Sequence, residues 1–559
     1  MSLDDELSDL LVISLEQAVA APYCGLLLAS AGARVIKIER PEGDFARSYD
    51  NGINGESAIF AWLNRGKESI SLNLKNDEDK NLLKNMIKSP FKSRSPKDFR
   101  VLMFYPNLHM SALMPQSIGI FTALLKREGY VLDLFDCTYY EDIDTLTIGK
   151  NTNEEKVANR IVAKYDNKEW IEKGVKPKND IVGNFKKKIE EFKPDLIIVS
   201  VLESTYYLAL ELLRSIPENK RNYKTLFGGV FATYASDKVI KNDLVDYVCR
   251  GEGEGAIVEM CSRLINNGRI DDIKNFTIKH EGKVFKNSMR PPINIDDVPI
   301  PDWDLFEKGS LYRPMQGKIW RAVGLETQRG CPYTCTFCNS PSNNVEYKAE
   351  TGSRFHRKKS IKRLEKELDF LVKKYDPNLI YFVVDTFLAM SNKEFDELKE
   401  LYSNYKIPFW MNTRAETITE HRAAGLEEMN MLRMNIGIEH GNYDYRRNYL
   451  KRNVKNDVQI KAFEIASQHK YTSCANSIIG MPDETRELIF DTINFVRKLP
   501  DNIDATGAFI FAPYHGTPLR TLAIEKGYLN DDEICSLSNT SESMLRMPTI
   551  SKKEMIAIQ

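Results

Sequence analysis

Arg329-Gly330-Cys331-Pro332-Tyr333-Thr334-Cys335-Thr336-Phe337-Cys338 sets three thiols at C-x3-C-x2-C spacing, directly after an apolar run at 322–326 that reads as a buried strand. Three thiolates on one short loop can each take one iron of a cubane cluster and leave the fourth iron without a protein ligand. An open position is what separates a catalytic metal site from a structural one. Zinc is the competing reading. It needs a fourth donor at short spacing, and His356, eighteen residues past Cys338, is the nearby candidate.

Outward from the loop, 318–530 alternates strands with amphipathic helices. Apolar runs lie at 322–326, 379–384, 408–411, 434–438, 477–480 and 508–512, and helix 360–375 carries Ile361, Leu364, Leu368, Leu371 and Tyr375 on one face. Six such units predict a partial (β/α)6 barrel with its chemistry at the carboxyl ends of the strands. Before it, 99–290 has strands at 101–105, 131–135, 196–201, 225–227 and 247–249, several running into glycines. That pattern predicts a Rossmann-like, doubly wound parallel sheet whose ligand sits at the glycine turns. The charged stretch 140–190 reads as a helical insertion. Segments 89–98 and 291–317 read as linkers, 1–88 as a small α/β fragment, and 531–559 as a carboxyl-terminal tail in which 552–558 is an ongoing helix. The fold class is therefore α/β throughout.

Composition narrows the function classes. The 559 residues carry 78 Lys plus Arg against 79 Asp plus Glu, a net charge of −1, so no global field favours nucleic acid or an anionic membrane. Nine cysteines, unevenly spaced, are too few for a disulfide scaffold and suit a reducing compartment, the cytoplasm. The uncharged run 18–33 is short of the ~20 residues a membrane span needs.

The cysteine spacing, its place after the first barrel strand and the aromatic Phe337 resemble the radical S-adenosylmethionine (SAM) enzymes over some 200 residues. The resemblance implies a [4Fe-4S] cluster on Cys331, Cys335 and Cys338. Its open iron chelates SAM, and one electron cleaves the sulfonium to a 5′-deoxyadenosyl radical. It also implies an external one-electron donor of the flavodoxin or ferredoxin type and a small-molecule or lipid substrate. By the same resemblance Phe337 lies near the adenine, and Asp385 faces the SAM amine. Glu439, in Gly437-Ile438-Glu439-His440-Gly441, bonds ribose or amine, with a salt bridge to Arg414 or Arg433 as the competing role. Ile478 and Gly480, in Asn476-Ser477-Ile478-Ile479-Gly480, line up with the adenine motif, and Pro513-Tyr514-His515-Gly516-Thr517-Pro518 with the sixth-strand turn.

Ser200-Val201-Leu202, then Gly228-Gly229 about 25 residues on, then Gly251-Glu252-Gly253, resemble the cobalamin (B12)-binding domains fused ahead of such barrels. Ser200, Leu202, Gly228, Gly229, Gly251, Glu252 and Gly253 are thereby implied as cobalamin-binding. The lower-ligand motif D-x-H-x-x-G is degraded here to Asn107-Leu108-His109-Met110-Ser111-Ala112, which leaves His109 without the carboxylate that orients a ligating imidazole. Residues 10–85 resemble the start of the family III CoA-transferases through Glu16-Gln17-Ala18, Gly32-Ala33-Arg34-Val35-Ile36-Lys37-Ile38-Glu39-Arg40-Pro41 and Asn64-Arg65-Gly66-Lys67. Arg40 and Lys67 are candidate CoA-phosphate partners. The family's catalytic aspartate lies further downstream, so no CoA transfer is expected. Together the resemblances imply a cobalamin-dependent radical SAM enzyme that methylates an unactivated carbon. The alternatives are a radical SAM cyclase or oxidoreductase, a methylthiotransferase lacking its extra cluster cysteines, or a non-catalytic cobalamin- or CoA-binding protein.

Overall fold

A computed structural model describes residues 7, 10–53, 56–88, 95–107, 114–143, 167–266, 268–280, 282–535 and 543–559. His109 lies outside the described residues. The chain divides into two compact units, 1–99 with 261–269, and 100–260 with 270–559.

In the first unit, β1 (Leu11–Ser14), β2 (Arg34–Glu39) and β3 (Glu68–Ser71) form a parallel sheet in that order. Ile36, Ile38 and Leu72 are its buried centre. Two ion pairs are sealed inside, Lys37 to Asp44 at 2.6 Å and Lys67 to Glu16. Lys67, a candidate for CoA phosphate, is thus committed to Glu16 and to the Pro22 carbonyl, and Arg40 donates to the Gly43 carbonyl at 2.8 Å.

The second unit holds two sheets. The first contains β4 (Arg100–Tyr105), β5 (Val131–Asp136), β6 (Leu196–Ser200), β7 (Lys224–Gly228), β8 (Tyr247–Cys249), β9 (Phe276–His280) and β10 (Lys283–Lys286). Spatial order is β10-β9-β8-β7-β6-β4-β5, with β5-β4-β6-β7-β8 parallel. This is the 2-1-3-4-5 doubly wound order, which places a ligand crevice at the strands' carboxyl ends. Within the stretch expected as an insertion, helix Ile181–Phe192 is instead an integral crossover. It buries Ile181, Phe185 and Ile189, and the Phe185 ring lies 5.0 Å from both Phe104 and Phe135. Its charges face water while the i, i+4, i+8 apolar stripe faces the sheet.

The second sheet begins with β11 (Tyr312–Met315), antiparallel to β12 (Lys318–Leu325). Past the short antiparallel pair β13 (Gln328–Arg329) and β14 (Arg357–Lys358), it continues through β15 (Leu379–Phe382), β16 (Phe409–Arg414), β17 (Met431–Glu439), β18 (Thr472–Ile479) and β19 (Asp504–Ile510). The order β12-β15-β16-β17-β18-β19 follows the chain, all parallel, as six consecutive right-handed βα units require. Helix Ile361–Tyr375, capped by Ser360, buries Leu364, Leu368, Leu371 and Tyr375 against the outer face. Leu545, Met547, Ile550 and Met555, within the expected tail, are buried in one apolar cluster with Ile479, Ile510 and Leu519.

Candidate active site

The cysteine loop follows β13. Gly330 opens it at φ +83°, and a Cβ there would fall 2.8 Å from the Phe355 ring, so only glycine makes this turn. Farther on, the Thr336 hydroxyl donates to the Tyr449 carbonyl at 2.5 Å, and the Leu519 amide donates to the Thr336 carbonyl at 3.0 Å, which ties the loop to the barrel. Cys331 and Cys335 are buried and Cys338 is half-buried. Burial pushes the Cys338 thiol up to about 12 and lifts Cys331 as well, so deprotonation depends on metal.

All three thiols line one cavity of about 290 Å³, which Phe337, Asp385, Glu439 and Ile478 also line. Among the described residues no three Cys, His, Asp or Glu side chains converge on a point suited to a single ion. A cubane needs no such convergence, because each thiolate takes a different iron. His356, the candidate fourth zinc donor, pairs its Nε2 with Gln328 Oε1 at 3.1 Å and does not line this cavity. The rest of the lining suits a sulfonium amino acid with a nucleoside: carboxylates and arginines for the amine and carboxylate, Phe337 and Ile478 for the ring. The residues present therefore fit a [4Fe-4S] cluster and SAM.

Asp385, three residues past β15, accepts from the Ser340 hydroxyl at 2.6 Å, and burial raises its carboxyl above the usual range. Glu439 ends β17 at φ +63°, and its carboxyl is raised by burial. Its ion-pair partner is Arg452, at 2.9 Å, and neither Arg414 nor Arg433. Arg433 turns to Asp504, and Arg414 to Glu416 and to Cys335 Sγ, the last at 2.9 Å. Strand β16 extends three residues beyond its apolar run, and this extension carries Arg414 to the sulfur cavity. Gly480 does not line the cavity. At φ +79° it turns the chain, and its amide donates to Glu484.

A larger cavity, about 660 Å³, lies between the glycine turns and the barrel mouth. Ser200, Gly228, Gly229, Gly251, Glu252 and Gly253 line it from one side, and Tyr381, Asp385 and Asn412 from the other. A Cβ on Gly228 would meet only Cys249 Cβ, at 3.9 Å, so this part of the floor is open backbone. Gly229 has φ +100°, and a Cβ there would strike the Val201 carbonyl at 2.5 Å. A floor of bare backbone at strand ends fits a large planar ligand such as a corrin. Two expected contacts differ. Leu202 is 54% exposed and does not line this cavity. The Glu252 carboxylate is held by Arg357 and by Arg329, the latter at 2.7 Å, so it serves an ion cluster rather than a free ligand contact. Arg329 also grips Glu254 at 2.7 Å and Glu326 at 3.0 Å, clamping the glycine turn to the cysteine loop. Nothing in the motif signalled this role, because the partners lie 75 and 77 residues away.

Comparisons with known proteins agree with this geometry. Residues 7–90 match the CoA-transferase family III, 177–260 the B12 binding domain and 325–496 the radical SAM superfamily. The chain is 29% identical over 349 residues to an uncharacterized methyltransferase of Pyrococcus horikoshii, covering 61% of this chain and 72% of that protein. It is 24% identical over 340 residues to the anaerobic magnesium-protoporphyrin IX monomethyl ester cyclase of Rubrivivax gelatinosus, covering 59% of this chain and 58% of the cyclase, less than two thirds of its length. Among solved structures, the radical SAM methyltransferase TsrM of Kitasatospora setae superposes with a TM-score of 0.52 over 76% of each chain at 16% identity, a likeness of fold.

Proposed function

We propose that this chain, which carries a B12-binding domain ahead of a radical SAM domain, transfers a methyl group to an unactivated carbon of a small-molecule or lipid substrate. The observation that carries the reading is that the sulfur cavity and the glycine-floored cavity share Asp385 and Asn412 as common wall, so their ligands would meet there. When bound, the cluster and SAM supply a carbon-centred radical initiator and cobalamin supplies the methyl group. Cys331, Cys335 and Cys338 would hold the cluster. Phe337 and Ile478 would flank the adenine, and Asp385 and Glu439 would bind the polar groups of SAM. Ser200, Gly228, Gly229, Gly251 and Gly253 would seat the corrin. The Arg329 clamp keeps the two cavities in register.

The coarse requirements are a small-molecule substrate and a one-electron donor, and no helix among the described residues is long and apolar enough to cross a membrane. The donor we assign is of the flavodoxin or ferredoxin type, and the compartment a reducing cytoplasm. Residues 99–290 and 318–530 are the two working domains.

The test is anaerobic reconstitution with iron, sulfide and cobalamin, followed by turnover with methyl-deuterated SAM. Transfer of label to a carbon product, with S-adenosylhomocysteine and 5′-deoxyadenosine both formed, supports the reading. Deoxyadenosine with an unlabelled, ring-closed or oxidised product would favour chemistry like that named for the Rubrivivax relative, and no SAM cleavage at all would favour a binding protein.

A further inference from the structure

The wall of the cysteine loop that faces away from the shared cavities is strongly basic. A third cavity, about 760 Å³, opens over Pro332 and Tyr333 and is lined by Arg354, Arg357, Lys358 and Arg422 against one carboxylate, Glu416. That carboxylate is already engaged, at 2.5 Å, by Arg414. Arg354 is exposed and makes no ion pair among the described residues. Arg422 donates only to neutral oxygens, those of Asn392 at 3.1 Å, Leu388 at 3.1 Å and Thr417 at 3.0 Å and of Met390 at 2.5 Å, and makes no ion pair among the described residues, Glu394 acting on it only from a distance. Lys358 shares Glu394 at 2.9 Å, and Arg357 shares Glu252. Arg354, Lys358 and Arg357 crowd His356, whose imidazole is pushed down to about 4 by burial and then by these three cations, so it carries no charge at neutral pH.

A second observation concerns access. Cys331 and Cys335 are 9% and 8% exposed, yet each is followed or preceded by an exposed residue of the same loop, Pro332 and Thr334. Tyr333 lines both the basic cavity and the sulfur cavity, so its side chain is their common wall. The Tyr333 ring lies 3.8 Å from the Arg414 guanidinium, which in turn touches Cys335 Sγ. An electron entering here has a short covalent and packed route to two thiolates.

We infer that this basic cavity is the docking surface for an acidic one-electron carrier protein, with electrons entering through the Pro332–Thr334 segment. The inference rests on the reading that the three cysteines hold a redox cluster needing one electron per cleavage. Charge complementarity commits it to an acidic protein: a patch with cations in excess over carboxylates at the point of closest approach speeds encounter by ~10–10³-fold at low salt.

The experiment mixes the reconstituted holoenzyme with flavodoxin hydroquinone in a stopped-flow instrument and follows bleaching of the cluster. Reduced methyl viologen, a small cation that the basic patch repels, serves as the control of opposite sign. In the Arg354→Glu/Lys358→Glu variant the flavodoxin rate is expected to fall tenfold or more, and the wild-type rate to fall as salt rises through the range where the Debye length shrinks below ~10 Å. The viologen rate does not fall in the variant, since the charge reversal removes repulsion of a cation. Lys187→Glu, on helix Ile181–Phe192 of the other domain, leaves both rates unchanged. Arg354→Gln alone, which introduces no repulsion, gives a smaller loss in the same direction and keeps the test valid should the double variant lose its cluster. A flavodoxin rate insensitive to these charges and to salt, with viologen still reducing the cluster, overturns the docking surface alone. Failure of viologen to reduce any cluster in the wild type overturns the cofactor reading beneath it.

Discussion

Replacing Arg329 by methionine is the sharpest structural perturbation available. Its guanidinium holds Glu252 and Glu254 at 2.7 Å and Glu326 at 3.0 Å, and all four side chains are at most 15% exposed. Methionine fills the volume without the charge. Glu252 keeps Arg357, and Glu326 retains Lys359 at 3.9 Å, but Glu254 is left with no counter-charge among the described residues. Removing one partner of a buried ion pair costs about 3–5 kcal/mol, because the orphaned charge stays desolvated. At ~1.4 kcal/mol per tenfold, local opening of the glycine turn and the cysteine loop should rise by a hundredfold or more.

Amide hydrogen exchange at Glu252, Gly253 and Gly330 reads that opening directly, and the thermal midpoint reads its global share. The dependence on pH has a defined sign. Glu252 is held below the usual carboxylate range mainly by Arg357 and Arg329 against the opposing effect of burial. A depressed carboxylate stabilises the fold above its unfolded value of ~4.3, and that stability is lost as pH falls through the folded value. The deficit of the variant is therefore complete at pH 7 and shrinks on acidification, as the Glu252 carboxylate takes up its proton and the contribution of Arg329 to holding it charged is lost. Exchange rates within threefold of wild type at pH 7, or a deficit that grows on acidification, would refute this account of the clamp.

Three further outcomes are expected. Arg414→Gln removes an N–H···S bond and a positive charge from Cys335, so the cluster's midpoint potential, measured by EPR-monitored titration, should fall by roughly 60 mV or more, the one-electron equivalent of ~1.4 kcal/mol. Gly229→Ala forces a Cβ onto the Val201 carbonyl at positive φ and should cost about 2–4 kcal/mol, seen as weakened cobalamin binding and a lower melting temperature. Glu484→Ala leaves the Gly480 and Met481 amides and the fully buried His440 without their acceptor, and should destabilise the β18 turn by about 3 kcal/mol or more in denaturant unfolding.

How much of this was legible beforehand follows from the range of the interactions. Strands β6 and β15 could be read because they are buried nearly throughout and so appear as apolar runs, and β17 because buried Met434, Ile436 and Ile438 alternate with Asn435 and Gly437, which line the sulfur cavity. The cysteine loop could be read because its ligands sit within eight residues. Helix Ile181–Phe192 was masked by its charges: only Ile181, Phe185 and Ile189 are buried, and the stripe is thin beside five lysines and glutamates. Strand β11 was read as linker because it holds Pro314 and Arg313 and pairs only with β12, at a sheet edge where proline is tolerated. Partners chosen by tertiary geometry, such as Arg452 for Glu439, Arg329 for Glu254 and Arg414 for Cys335, carry no local signal. Each is an arginine whose reach of several ångströms makes sequence distance irrelevant.

The central claim is most directly tested by metal and sulfide analysis, with EPR, of anaerobically reconstituted wild type and Cys335→Ala. The account predicts about four irons and four sulfides per chain in the wild type, with an EPR signal that changes when SAM is added, and loss of most of both in the variant. A single zinc in the wild type, or iron retained at the wild-type level in Cys335→Ala, would contradict it.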